Sequence, residues 1–69
     1  MKYGDVVKMR TDAEDFSPEW ARTRVMVIAV FEEAGIVGHS LVDGVIVMDS
    51  KGNPSGRPLL FAEYEWEVI

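Results

Sequence analysis

The chain has 69 residues, of which seven are basic and twelve are acidic, and 48% of it is hydrophobic. This length predicts a single domain over residues 1–69, and the hydrophobic content argues against disorder. Because the sequence has no cysteine, disulfides and thiolate metal sites are excluded. A net charge of −5 disfavours nucleic acid and anionic membranes, so we expect protein partners first.

Neither the start of the chain nor its longest apolar run predicts a targeting or membrane-spanning segment. The first residues, MKYGD, lack an apolar signal core. The run from Val25 to Phe31 is far shorter than the ~20 residues that a membrane-spanning helix needs. We therefore expect a cytoplasmic protein without a membrane partner.

The first predicted element is a strand near the N-terminus. Val7 and Met9 alternate with Val6, Lys8 and Arg10 after a Gly–Asp turn signal. This period of two is typical of a strand with one face in the core.

A segment without strand character follows, at residues 11–22. Its Ser-Pro-Glu-Trp sequence sets an N-cap candidate before a proline that suits the first helical position, which predicts one short helical turn near residues 18–22. Before that turn, Asp12, Glu14 and Asp15 predict a solvated acidic loop. A calcium loop is not expected, because the central glycine and closing glutamate of an EF-hand are missing.

The same segment supplies the main candidates for partner binding. Tryptophan and arginine are enriched at interface hot spots, and binding residues often lie on loops above a rigid scaffold. The predicted partner-binding residues are Phe16, Trp20, Arg22 and Arg24. Two alternatives stay open: Trp20 simply caps an open end of the fold, or Arg10 joins Arg22 and Arg24 in a basic patch for RNA or DNA.

The run from Val25 to Phe31 is apolar on both faces of a predicted strand, so both faces need cover. This strand is either bent between two sheets of a barrel or part of an oligomer interface. In the second case, the candidates for self-association into a homo-oligomer are Met26, Ile28 and Val30.

His39 is the only histidine of the chain. It would serve as a catalytic base only with a nucleophile and an orienting acid nearby, and neighbours on a strand, such as Ser40, point to opposite faces. We expect a structural or solvent-facing histidine. More generally, the sequence predicts no enzyme, no metal site and no cofactor.

Two further strands are predicted around a glycine-rich loop. At residues 40–49, the Asp43-Gly44 pair is either the turn of a hairpin or a bulge in one long strand, and the sequence does not choose between them. Residues 50–56, SKGNPSG, predict a loop. Residues 57–62 then return as a strand whose proline must lie at its start or on an edge.

The last predicted strand shows the clearest alternation. Three acidic residues alternate with three apolar or aromatic ones: Glu63, Glu65 and Glu67 against Tyr64, Trp66 and Val68. The pattern predicts one acidic face and one core face.

About five short strands and one helical turn predict an all-β fold, and closing them into a small barrel removes exposed edges. In this order the elements resemble SH3-like small barrels, including the KOW-type modules. The residues that carry the resemblance are 4–9, 23–31, 44–49 and 64–69. The chain also resembles the short uncharacterised barrels that bacteriophages encode.

The resemblance to KOW-type modules implies RNA or protein partners. The chain departs from these modules before the second strand, where it has Ser-Pro-Glu-Trp instead of a basic, glycine-centred turn. The leading hypothesis is therefore a non-catalytic protein-interaction module or accessory subunit, phage-encoded and acting on a host or virion protein in the host cytoplasm. The alternative is a KOW-like nucleic-acid-associated protein that uses the arginine patch, and a third is an acidic nucleic-acid mimic using glutamates 63, 65 and 67.

Overall fold

A computed structural model describes residues 1–32 and 39–69. Five strands form one antiparallel sheet in the order β4-β3-β2-β1-β5. They are β1 (Val6–Met9), β2 (Arg24–Phe31), β3 (Leu41–Met48), β4 (Pro58–Ala62) and β5 (Trp66–Val68). The predicted all-β fold of about five strands is confirmed, and the strand order is compatible with an SH3-like barrel.

Within residues 1–32 and 39–69, three short helical segments lie between the strands. The predicted turn near residues 18–22 is a 3-10 turn at Pro18–Trp20 with proline in its first turn, although the Ser17 side chain makes no capping hydrogen bond. One turn of α-helix, α1 (Thr11–Glu14), precedes it. The prediction of a plain acidic loop there was wrong, because Asp12 and Glu14 belong to this turn.

The third helical segment corrects the prediction for the C-terminal end. Glu63–Glu65 is a second 3-10 turn, and β5 begins only at Trp66. Trp66 is buried, whereas Tyr64 and Val68 are 53% and 50% exposed. The expected strand with an acidic face and a core face is therefore wrong over its first half, and the glutamate ladder behind the nucleic-acid mimic is not formed.

The core lies on the inner face of the sheet. Val7, Val25, Val27 and Val42 are completely buried, as the alternation in β1 and β2 requires. Four larger side chains complete this core: Met9, Ile46, Phe61 and Trp66. A cluster of this size is small, so each of its members contributes a large share of the stability.

The pairing of β2 with β3 resolves one open alternative and shows a bulge in β2. Residues 41–48 form one continuous strand, so Asp43 and Gly44 are not a hairpin turn. The pairing shifts between Val27 and Ala29, which leaves Ile28 as an extra residue in β2. Bulges of this kind bend a strand and increase its twist.

The bulge also changes which residues of β2 share a face. Val30 pairs with buried Val42 and packs against the core, whereas Met26 pairs with Val6 and Val45 on the outer face. Met26 and Val30 would share a face in a regular strand, but here they do not. The three candidates for self-association therefore do not form one seam.

Gly44 marks the closest approach between β2 and β3. A Cβ atom at this position would lie 2.5 Å from Cγ1 of Val25 and 2.8 Å from the carbonyl oxygen of Met26. The glycine is thus needed for packing, since no side chain fits between the two strands.

The predicted loop at residues 50–56 is confirmed as the connection between β3 and β4. Gly52 has a φ of 85°, which favours glycine, and the Asp49 carboxylate accepts hydrogen bonds from the backbone N–H groups of Lys51 and Asn53. Pro58 begins β4, an edge strand, where its missing N–H costs no ladder hydrogen bond.

Candidate partner-binding groove

The second 3-10 turn is fixed to the sheet by backbone hydrogen bonds at both ends. The N–H of Glu63 donates to the carbonyl oxygen of Ser40 at 2.9 Å, just before β3. The N–H of Arg10 donates to the carbonyl oxygen of Glu65 at 2.9 Å, just after β1. Tyr64, between these anchors, is therefore held at the surface while Trp66 enters the core.

Tyr64 lies between two adjoining depressions, which we call the Tyr64 groove. The larger has a cavity volume of about 360 Å³, and the smaller one of about 220 Å³. The larger depression is lined by Arg10, His39, Ser40, Glu63, Tyr64 and Trp66, and the smaller by Asp12, Ala13, Phe16, Tyr64 and Glu65. The groove thus runs from the β1–β2 connection to the residues that precede β3.

Three aromatic side chains provide the apolar surface of the groove. Phe16 is 90% exposed, which makes it the most exposed large hydrophobic side chain that the structure describes. The rings of His39 and Tyr64 are 4.3 Å apart between centroids and tilted by 35°. Such a stacked pair holds the tyrosine ring in a defined orientation with its outer surface accessible.

Charges around the groove are mostly acidic. Arg10 pairs with Asp12 at 3.3 Å between Nε and Oδ1, and the N-terminal amino group lies 3.6 Å from Oε1 of Glu63. Within residues 1–32 and 39–69, Glu65 has no ion-pair partner. The groove therefore has one uncompensated carboxylate beside its aromatic surface.

The structure separates the four predicted partner-binding residues. Phe16 lines the groove, but Trp20 is half-buried, packs against the core and meets Trp66 edge-on at 6.4 Å between ring centroids. Arg22 is exposed, and Arg24 lies in β2 opposite Lys8. These residues form no single surface.

The predicted arginine patch is also divided. Arg10 lies in the Tyr64 groove, paired with Asp12, whereas Arg24 is on the outer face of β2 and donates a hydrogen bond to the carbonyl oxygen of Thr23 at 3.1 Å. Its cross-strand neighbour Lys8 forms an ion pair with Glu67 at 3.1 Å. The positive charge that a phosphate would meet here is therefore partly neutralised.

Sequence reasoning missed two residues of the groove. Tyr64 was assigned to the core face of a strand, and His39 was treated only as a catalytic or structural residue. The period-two pattern around Tyr64 concealed the 3-10 turn. The pairing of its ring with His39 joins positions 25 residues apart, and no local pattern signals it.

In the described part of the chain, His39 makes no hydrogen bond to a nucleophile or a carboxylate. Among the same residues, no group of three or more histidine, cysteine, aspartate or glutamate side chains is arranged to hold a metal ion. The described helices are all too short to cross a membrane.

No protein-family model matches the chain, and neither a curated protein nor a solved structure matches it significantly.

Proposed function

We propose that this chain is a non-catalytic protein-interaction module or accessory subunit that binds an extended segment of a partner protein in the Tyr64 groove. The observation that carries the proposal is the exposure of Phe16 and Tyr64 in two adjoining depressions, with the His39 ring against that of Tyr64. Clustered exposed aromatic side chains are typical of interaction surfaces, because they lose contact with water on binding at low entropic cost. The antiparallel sheet supplies the rigid support.

The charge of the groove indicates what the partner segment carries. Glu65 has an uncompensated carboxylate next to the Tyr64 ring, so a lysine or arginine side chain could pair with the carboxylate and lie over the ring. The smaller depression, with Ala13 and Phe16, suits an apolar side chain or proline, whereas the larger one has a more polar lining. The proposed ligand is thus an extended basic segment with an apolar residue at one flank.

Affinity capture from a lysate with the native chain and with Tyr64→Ala and Phe16→Ala variants tests this function. We expect nuclease-resistant protein partners on the native chain and their loss from both variants. Tyr3→Ala is the matched control, because Tyr3 is 72% exposed but does not line the groove. Partners that remain on the groove variants would refute the proposed site.

A KOW-like nucleic-acid-associated protein is the second candidate. Its support is the pair of neighbouring cations Arg24 and Lys8 on the outer face, with exposed Arg22 before them. The ion pair of Lys8 with Glu67 and the net charge of −5 weaken it. Partners lost on nuclease treatment, and lost again in an Arg22→Ala/Arg24→Ala variant, would favour this candidate.

A phage origin and a host or virion protein as partner belong to the same proposal. They rest on the resemblance to small phage-encoded barrels alone. The capture experiment tests the host or virion partner, because it identifies the captured protein by mass spectrometry.

A further inference from the structure

The outer face of β2 and β3 is unusually apolar for a surface of a small protein. Outer-face residues follow from the cross-strand pairing, which sets Ala29 beside Asp43, Met26 beside Val45, and Arg24 beside Met48. We call these pairs the Asp43, Met26 and Arg24 rows. Beyond the Asp43 row lies a fourth pair, Phe31 beside Leu41.

Several apolar side chains on this face are open to water. Leu60, opposite Asp43 on β4, is 60% exposed, and Phe31 is 48% exposed. Val6, opposite Met26 on β1, is 37% exposed. Residues on a sheet face that meets only water are normally polar. This apolar face is therefore expected to be covered.

The charges on the outer face are arranged symmetrically about the Met26 row. Asp43 lies one row to one side and Arg24 one row to the other, each about 7 Å away along the strands. Among the described residues, neither side chain forms an ion pair. Each therefore keeps a charge that a facing surface could complement.

From this arrangement we infer that two copies of the chain pair face to face through the outer face of β2 and β3. A two-fold axis that lies in the interface along the Met26 row relates the two copies. It keeps the Met26 row in place and exchanges the Asp43 row with the Arg24 row. Asp43 of each copy then faces Arg24 of the other, while Met26 and Val45 meet their own counterparts at the centre. An isologous dimer needs a self-complementary surface of this kind.

The size of the face sets the expected affinity. Four strands and four rows span about 14 Å by about 20 Å, which is less than the ~800 Å² per partner of a standard interface. The dimer is consequently weak, with a dissociation constant in the micromolar range. This pairing is independent of the Tyr64 groove, because it uses none of the groove residues that carry the proposed function.

Sedimentation velocity of the native chain and of charge variants tests the inference, at protein concentrations from about 10 μM to about 1 mM. We expect the native chain to pass from monomer to dimer over this range. Asp43→Arg and Arg24→Asp each bring like charges together at two symmetric positions, and each weakens dimerisation at least ~10-fold. The double variant Asp43→Arg/Arg24→Asp restores opposite charges and recovers the native dissociation constant.

The control is Glu19→Arg, which makes the same charge change as Asp43→Arg on an exposed residue outside the outer face. It should dimerise like the native chain. A monomeric native chain at about 1 mM overturns the inference, whether or not another protein covers the face. Dimerisation that the single variants leave unchanged, or that the double variant does not recover, overturns it too.

Discussion

Tyr64 and Trp66 are two residues apart in the sequence, but they belong to different regions of the molecule. Trp66 begins β5 and is 6% exposed, with its ring 4.9 Å from that of Phe61 between centroids. Tyr64 lies in the 3-10 turn before β5. Its side chain is 53% exposed, and its ring contacts that of His39. One aromatic side chain holds the sheet together, and the other forms the groove. The difference shows that local backbone geometry, more than residue type, places an aromatic side chain in the core or at the surface.

The largest expected effect compares these two side chains directly. Trp66→Ala should lower the free energy of unfolding by about 3–5 kcal/mol, because it removes a buried ring and leaves a cavity. Tyr64→Ala should lower it by less than ~1 kcal/mol, since half of its side chain already contacts water. Urea denaturation followed by circular dichroism measures both. Equal losses of unfolding free energy in the two variants would show that Tyr64 contributes as much to stability as Trp66.

Gly44 tests the core region further, because β2 and β3 approach most closely there. Gly44→Ala forces a methyl group against Cγ1 of Val25 and the carbonyl oxygen of Met26, and backbone atoms cannot move aside cheaply. We expect a loss of about 1–3 kcal/mol in the free energy of unfolding. Gly56→Ala is the control, because its added methyl group meets nothing within 4 Å. A harmless Gly44→Ala variant would mean that the β2–β3 contact is looser than described.

The sequence predicted the first strand correctly and the last one only in part, for a physical reason. In β1, Val7 and Met9 face the core in strict alternation, so period two and burial agree. At Glu63–Glu65 the same period is present, but backbone hydrogen bonds to Ser40 and from Arg10 hold the segment in a 3-10 turn. Those contacts link distant parts of the chain, and no window of sequence contains them.

The bulge in β2 escaped prediction for the same reason. Ile28 is an ordinary strand residue by composition, and its extra position arises from the pairing of Val27 with Gly44 and of Ala29 with Asp43. Phe16, in contrast, was predicted as a partner-binding residue because it lies in an irregular segment, and it is exposed, whereas Trp20 from the same segment packs against the core.

A smaller effect is expected in the loop between β3 and β4. Asp49→Ala removes the acceptor of two backbone N–H groups, those of Lys51 and Asn53, each at 2.9 Å. The loss should be about 1 kcal/mol in the free energy of unfolding, because the loop is partly solvated. Asp49→Asn keeps an acceptor oxygen and should recover most of it. If alanine and asparagine act alike, these hydrogen bonds do not stabilise the loop.

The smallest effect belongs to the ion pair of Lys8 with Glu67, whose side chains are 32% and 47% exposed. A double-mutant cycle with alanine at both positions should give a coupling energy of about 0.2–1 kcal/mol that falls as salt is added. Thermal unfolding of the four proteins at low and high salt measures it. A coupling well above this range would show that the outer face is more sheltered from water than the monomer suggests.

Amide chemical-shift mapping tests the central claim, that the Tyr64 groove binds an extended segment, most directly. The ¹⁵N-labelled chain is titrated with a basic peptide selected against it from a random display library. We expect perturbations concentrated at residues 10–16, 39–40 and 63–66, and their disappearance in Tyr64→Ala, a variant that remains folded. Perturbations confined to other surfaces, or equal binding by Tyr64→Ala, would contradict it.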